Sequence, residues 1–118
     1  MAKYLFLAFS NPIPGREDEY NAWYDAHHVR DVVDVPGFVS GQRYRLATTQ
    51  FTLSQGEPAQ RYLALYEIET NDLETTYQQV LERLGTAQMI GCEAFDLTSL
   101  QALTFEPIGP RITPLVTS

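Results

Sequence analysis

The sequence predicts an α+β domain in which four strands and two helices follow the order β-α-β-β-α-β. Three observations predict it. The chain opens with a short apolar run stopped by Pro and Gly, two later segments show helical spacing without internal Pro or Gly, and an alternating hairpin lies between them. At 118 residues the chain has room for one core of ordinary size. Residues 1–118 are therefore read as a single domain, with 107–118 as an extended, Pro-containing tail.

The first strand is placed at residues 3–10, Lys-Tyr-Leu-Phe-Leu-Ala-Phe-Ser, before Asn11-Pro12-Ile13-Pro14-Gly15. Its length and apolarity predict a strand covered on both faces. The first helix runs from about Glu17 to Val33, its first turn acidic at Glu17, Asp18 and Glu19 in keeping with the helix dipole. Ala22, Ala26, Val29 and Val33 form one apolar stripe, expected to pack on the sheet. Tyr20, Tyr24, His28 (or His27) and Asp31 form a second, amphipathic one. Pro36-Gly37 ends the helix. From Phe38 to about Thr49 the pattern alternates, with Phe38, Tyr44 and Leu46 on one parity and Val39, Arg43 and Arg45 on the other. Residues 54–60 read as a loop and Arg61–Glu69 as the returning strand. Asn71-Asp72 before Glu74 resembles an N-cap, and Leu73, Tyr77, Val80, Leu81 and Leu84 continue as a helix to Gly85. The stretch 86–98 reads as helix extension or loop, and the last strand is placed at Leu100–Phe105. Beyond Glu106, Pro107, Pro110 and Pro114 forbid regular helix.

Composition removes several classes of function. Eight Lys and Arg against fifteen Asp and Glu leave a net charge of −7, which offers no electrostatic footprint for nucleic acid and no attraction to anionic membranes. No apolar stretch approaches the roughly 20 residues of a bilayer span, and no leader-like segment opens the chain. Cys92 is the one cysteine, so no internal disulfide forms, and a cytoplasmic protein is expected. A lone cysteine is more often a small core residue than a nucleophile. Phosphate-loop, dinucleotide, nucleophile-elbow and zinc patterns are absent, so no cofactor and no metal are expected.

This order of elements is the ferredoxin-like βαββαβ arrangement with an antiparallel sheet. Its helices cover one face only. Both parities of the first and third strands are apolar, with Leu5, Leu7 and Phe9 against Tyr4, Phe6 and Ala8, and Leu63 and Leu65 against Tyr62, Ala64 and Tyr66. An uncovered apolar face predicts association, here as a homodimer.

The run Tyr20-Asn21-Ala22-Trp23-Tyr24-Asp25-Ala26-His27-His28-Val29, then Asp31, Val35-Pro36-Gly37-Phe38 and Arg43-Tyr44, resembles the EthD-like branch of the dimeric α+β barrels. Arg61-Tyr62-Leu63-Ala64-Leu65-Tyr66-Glu67 is similar to that family's third strand. The likeness is carried by residues 3–46 and thins after residue 69. It implies two sheets facing each other as a barrel, a small-molecule pocket in each protomer, and His28 at the pocket mouth as an acid or base. Arg30 stands where family members often carry proline, so the helix is expected to run further. The resemblance implies no single reaction, because the superfamily hosts isomerases, lyases, cyclases, cofactor-free monooxygenases, haem-degrading enzymes and proteins without known activity.

His28 is the leading catalytic candidate, since an imidazole exchanges protons near neutrality. Tyr24 at i−4 and Asp31 at i+3 share its helical face, the aspartate to orient the ring and the phenol to donate to a developing oxyanion. The competing reading is a structural histidine bonded to a carbonyl or to Asp31. His27 points about 100° away and is read as a neighbour that borders the substrate. With Asp31 it makes one edge of a metal site and lacks a third ligand. Arg43 is read as a substrate anchor inside the barrel or on its rim, against a salt bridge to Glu67 or Glu69. Trp23 and Tyr66 are read as aromatic pocket walls, against plain core.

The reading is an enzyme of isomerase, lyase or cyclase type, working without a cofactor on a small aromatic or cyclic organic acid or ketone, as in the breakdown of aromatic compounds. The alternatives are a cofactor-free monooxygenase of the same fold and a non-catalytic module that binds a hydrophobic ligand. The partners expected are that substrate and a second copy of the chain.

Overall fold

The computed structural model describes residues 1–53 and 56–115; Ser54 and Gln55 of the expected loop and residues 116–118 of the expected tail lie outside the described residues. Strand β1 spans Ala2–Pro12 and is followed by a continuous helical rod of α1 (Glu17–Trp23), a π-helical turn (Tyr24–His28) and α2 (Val29–Val33). Strands β2 (Phe38–Arg45) and β3 (Tyr62–Thr70) form the hairpin, and α3 (Leu73–Arg83) leads to β4 (Phe95–Phe105). The sheet order is β2-β3-β1-β4, with every neighbouring pair antiparallel. This is the expected ferredoxin-like α+β fold. No described helix is long and apolar enough to cross a membrane.

Local chemistry explains most boundaries. Asp72 caps α3, its carboxylate accepting the Thr75 backbone N–H at 3.1 Å and the Thr75 hydroxyl at 2.7 Å. Gly85, at φ +80°, takes the left-handed conformation that ends it. Gly41 lies flat under the helical rod, where a β-carbon would meet the Tyr66 ring at 2.8 Å and Val33 at 2.9 Å.

Four expectations are corrected. Strand β2 stops at Arg45, short of Thr49. Strand β4 begins at Phe95 rather than Leu100. Its first residues, Phe95 to Thr98, belong to the stretch 86–98 expected as helix extension or loop; there Asp96 accepts hydrogen bonds from Thr98, and the pairing with β1 is irregular between Phe9 and Asn11. In the helical rod Ala22 and Ala26 are exposed, while Tyr20, Tyr24 and Val32 are buried on the sheet. The stripe read as amphipathic therefore supplies much of the packing, because two tyrosine rings bury far more apolar surface than two alanines. Finally, within one chain β1 is covered by helices on one face only. Phe6, Ala8 and Ser10 face the helices, and Leu5, Leu7 and Phe9 face away with Leu63, Leu65, Leu103 and Phe105. On that helix-free face Leu5 is 38% exposed and Phe105 52%.

Candidate functional site

Between the helices and the sheet lies a cleft of about 600 Å³. Phe6, Ala8 and Tyr66 form its floor, Trp23, Tyr24 and His28 one wall, and Tyr77 and Val80 of α3 with Leu84 just beyond it the other, with Met89, Cys92 and Phe95 closing one end. The cavity therefore opens on the helix side, the opposite side of the sheet from the face expected to meet a second copy. Among the described residues, neither Lys nor Arg nor Asp nor Glu lines it.

The π turn sets the position of His28. Here the Val29 backbone N–H donates to the carbonyl of Tyr24, five residues back, so the turn holds one residue more than an α-helical turn. His28 then stacks on Trp23, five positions earlier, with ring centroids 4.4 Å apart and planes 21° from parallel. It also meets Tyr24 edge-on at 5.3 Å. The Trp23 indole N–H is tied to the Ile90 carbonyl at 2.9 Å, which fixes the stack against the loop after α3. Burial lowers the His28 pKa to about 4, so the ring is neutral at neutral pH. Its Nδ1 is buried without a hydrogen-bond partner.

Tyr66 supplies the second unpaired group. Its ring is 1% exposed, stacked on Phe6 at 5.9 Å and set edge-on to Phe38 at 5.7 Å. Its hydroxyl is buried and has no partner. Burial raises its pKa far above the ordinary phenol range, so it remains a neutral donor. Tyr24 is likewise held protonated, pushed up to about 12 chiefly by burial.

Arg43 does not reach this cleft. Its guanidinium donates to Asp25 Oδ1 at 3.0 Å and to Asn21 Oδ1 at 2.8 Å. It lies 4.5 Å from the centroid of Tyr24 and 5.6 Å from those of Tyr20 and Tyr62. Asn21, Asp25, Tyr44, Arg45 and Tyr62 surround it in a separate hollow of about 270 Å³. The expected partner Glu67 instead accepts a 2.6 Å hydrogen bond from Ser40. A bulge between Phe38 and Ser40 puts Phe38 and Arg43 on the same, helix-facing side despite their opposite parity.

The remaining candidates divide. Trp23, Tyr24, His28 and Tyr66 come together around the larger cleft, while Asp31 and His27 line neither hollow. Asp31 does not orient His28, whose Nδ1 lacks a partner and whose pKa shift has burial as its only cause. His27 is exposed. Among the described residues no three His, Cys, Asp or Glu side chains gather at metal-binding distance. Sequence reasoning did not place Tyr77, Leu84 and Met89 in the site. The available signal was the apolar stripe of α3, whose Leu81 and Leu84 remain 63% and 50% exposed because they border a cavity.

The same architecture occurs in a haem degrader from Mycobacterium tuberculosis, MhuD, solved with two haems in its active site. That structure matches with a TM-score of 0.59 and 15% identity over 92% of this chain and 98% of the other. The chain shares the ferredoxin-like α+β fold with that protein. A MhuD variant carrying two manganese protoporphyrins per active site matches with a TM-score of 0.58 and 16% identity, over 93% and 99% of the two chains. An EthD family protein from Bacillus halodurans matches with a TM-score of 0.51 and 12% identity, over 92% and 100%. No protein-family model matches the chain, and no curated protein matches it in sequence.

Proposed function

We propose that the chain is an enzyme that moves a proton on a small cyclic or aromatic substrate held in the larger cleft, without a cofactor. The observation that carries this reading is the pair of unpartnered buried atoms, His28 Nδ1 and the Tyr66 hydroxyl, on two residues that border an otherwise apolar cleft. A buried polar group without a partner costs about 1–3 kcal/mol, and a bound molecule that meets both recovers this. His28, neutral at physiological pH, accepts the substrate proton; the Tyr66 phenol donates to the oxygen on which charge develops. Tyr24 keeps the imidazole in place from its edge, and Trp23 from its face. Asp31, His27 and Arg43 have no part in this step.

His28→Ala tests it. In deuterated water the wild type should exchange the proton beside the carbonyl of a cyclic ketone substrate, and the variant should lose roughly 10²–10⁴-fold in rate while staying folded. Undiminished exchange in the folded variant would sink the assignment. Oxygen uptake with a phenol and no added metal would favour the monooxygenase alternative. Tight binding that ignores His28 would favour a binding module.

The haem of the MhuD structures suggests a second ligand, and His28 could approach its iron. The cleft fits it poorly, because no Lys or Arg lines the wall to meet the two haem carboxylates.

We also propose that a second copy covers the helix-free face of Leu5, Leu7, Phe9, Leu63, Leu65, Leu103 and Phe105. An apolar face of this composition is costly in water. Light scattering on a sizing column should give twice 13.4 kDa, and Leu7→Glu should halve the mass. A monomeric wild type would refute the pairing.

A further inference from the structure

The proposed reaction leaves the charge and polarity of the substrate open, and the cleft constrains both. Among the described residues that line it there is no Lys, Arg, Asp or Glu: Trp23, Tyr24, Tyr66 and Tyr77 stand among apolar residues, with the His28 imidazole beside them. Arg43 and Arg45 border the other hollow, the Arg43 fork is already taken by Asp25 and Asn21, and Arg16, on the side of Cys92, is paired with Glu19. A carboxylate entering the cleft would therefore lose its hydration without gaining a counter-charge, at a cost of several kcal/mol. An organic acid is a poor occupant.

The shape adds a second constraint. The Trp23–His28 stack presents an extended flat wall, and Phe6 and Tyr66 are stacked on the floor. Flat rings lie well against such surfaces. The two orphan atoms add a third. An imidazole nitrogen that lacks its own hydrogen accepts from an O–H, and a phenol donates to an oxygen lone pair.

We propose that the cleft selects an uncharged, flat, hydroxylated ring compound, a phenol or hydroxyketone, whose oxygens meet His28 Nδ1 and the Tyr66 hydroxyl. This rests on the cleft being the ligand site, and it replaces the organic acid among the expected substrates.

Three probes on one ring system test it on the full chain at pH 7.5: 9-phenanthrol, phenanthrene, and phenanthrene-9-carboxylate, each followed by quenching of tryptophan fluorescence. Phenanthrol should bind about tenfold tighter than phenanthrene, and the carboxylate at least about 100-fold weaker than phenanthrol. Tyr66→Phe should narrow the gap between phenanthrol and phenanthrene several-fold, because one of the phenol's two hydrogen bonds is lost while His28 Nδ1 keeps the other. Carboxylate binding as tight as that of the phenol overturns the ligand class while leaving the cleft as a binding site. Failure of all three to bind overturns the cleft itself. The wild-type comparison decides the class even if the variant does not fold.

Discussion

Two polar clusters sit on the helix side of the same sheet, and they are built in opposite ways. Around Arg43 the polar groups are matched: the fork meets Asp25 and Asn21, and its faces lie against tyrosine rings. Around His28 and Tyr66 they are not, although both groups are more deeply enclosed. Tyr24 separates the two, with the guanidinium on one side and the imidazole on the other. The matched cluster stabilises the fold. The unmatched one costs stability, and a fold retains such a cost where a ligand offsets it.

Acid offers the strongest way to break this contrast. His28 is held at about 4 in the fold, against 6.5 in an unfolded chain. Above pH 6.5 the ring is neutral in both states and makes no difference. As the pH falls from 6.5 towards 4, the unfolded chain takes up a proton that the fold refuses, so stability declines by up to about 3 kcal/mol. Urea titrations of wild type and His28→Gln at pH 7.5 and 4.5 should show a much steeper loss for the wild type. Equal slopes would show that the ring is not held neutral.

The matched cluster should give a smaller, pH-independent effect. Arg43→Met keeps the length of the side chain but removes its two hydrogen bonds and its contact with the Tyr24 ring. About 2 kcal/mol of stability should be lost. Phenanthrol binding should change by less than a few-fold, because Arg43 lies outside the cleft. A large loss of affinity with unchanged stability would make Arg43 the anchor that its strand position first suggested.

That misplacement of Arg43 shows what a sequence can carry and what it cannot. Strand order, hairpin and the Asp72 cap are legible because Pro, Gly, Asp and alternating apolar residues act locally. The His28–Trp23–Tyr24 neighbourhood is legible as a cluster on one helix. Its geometry is not, since a π turn adds a residue to the helix without a sequence mark of its own, and the bulge at Phe38–Ser40 reverses parity in β2 in the same silent way. Counting alanines and valines as the packing stripe undervalued Tyr20 and Tyr24. Their burial depends on a hydroxyl partner, Ser10 for Tyr20 at 2.6 Å, that lies ten residues away on another element.

The smallest expected effect is also the one with the most telling sign. Tyr66→Phe removes a buried hydroxyl that exchanges water in the unfolded chain for nothing in the fold. Deleting a bonded buried hydroxyl destabilises; deleting this one should stabilise the free protein by about 1 kcal/mol, read as a higher urea midpoint at unchanged slope. With saturating phenanthrol the order should reverse, because the wild type then gains the hydrogen bond and the variant does not. A variant less stable than wild type in the absence of ligand would mean that the hydroxyl is already satisfied. The contrast between a matched and an unmatched cluster would then fall at the residue where it is sharpest.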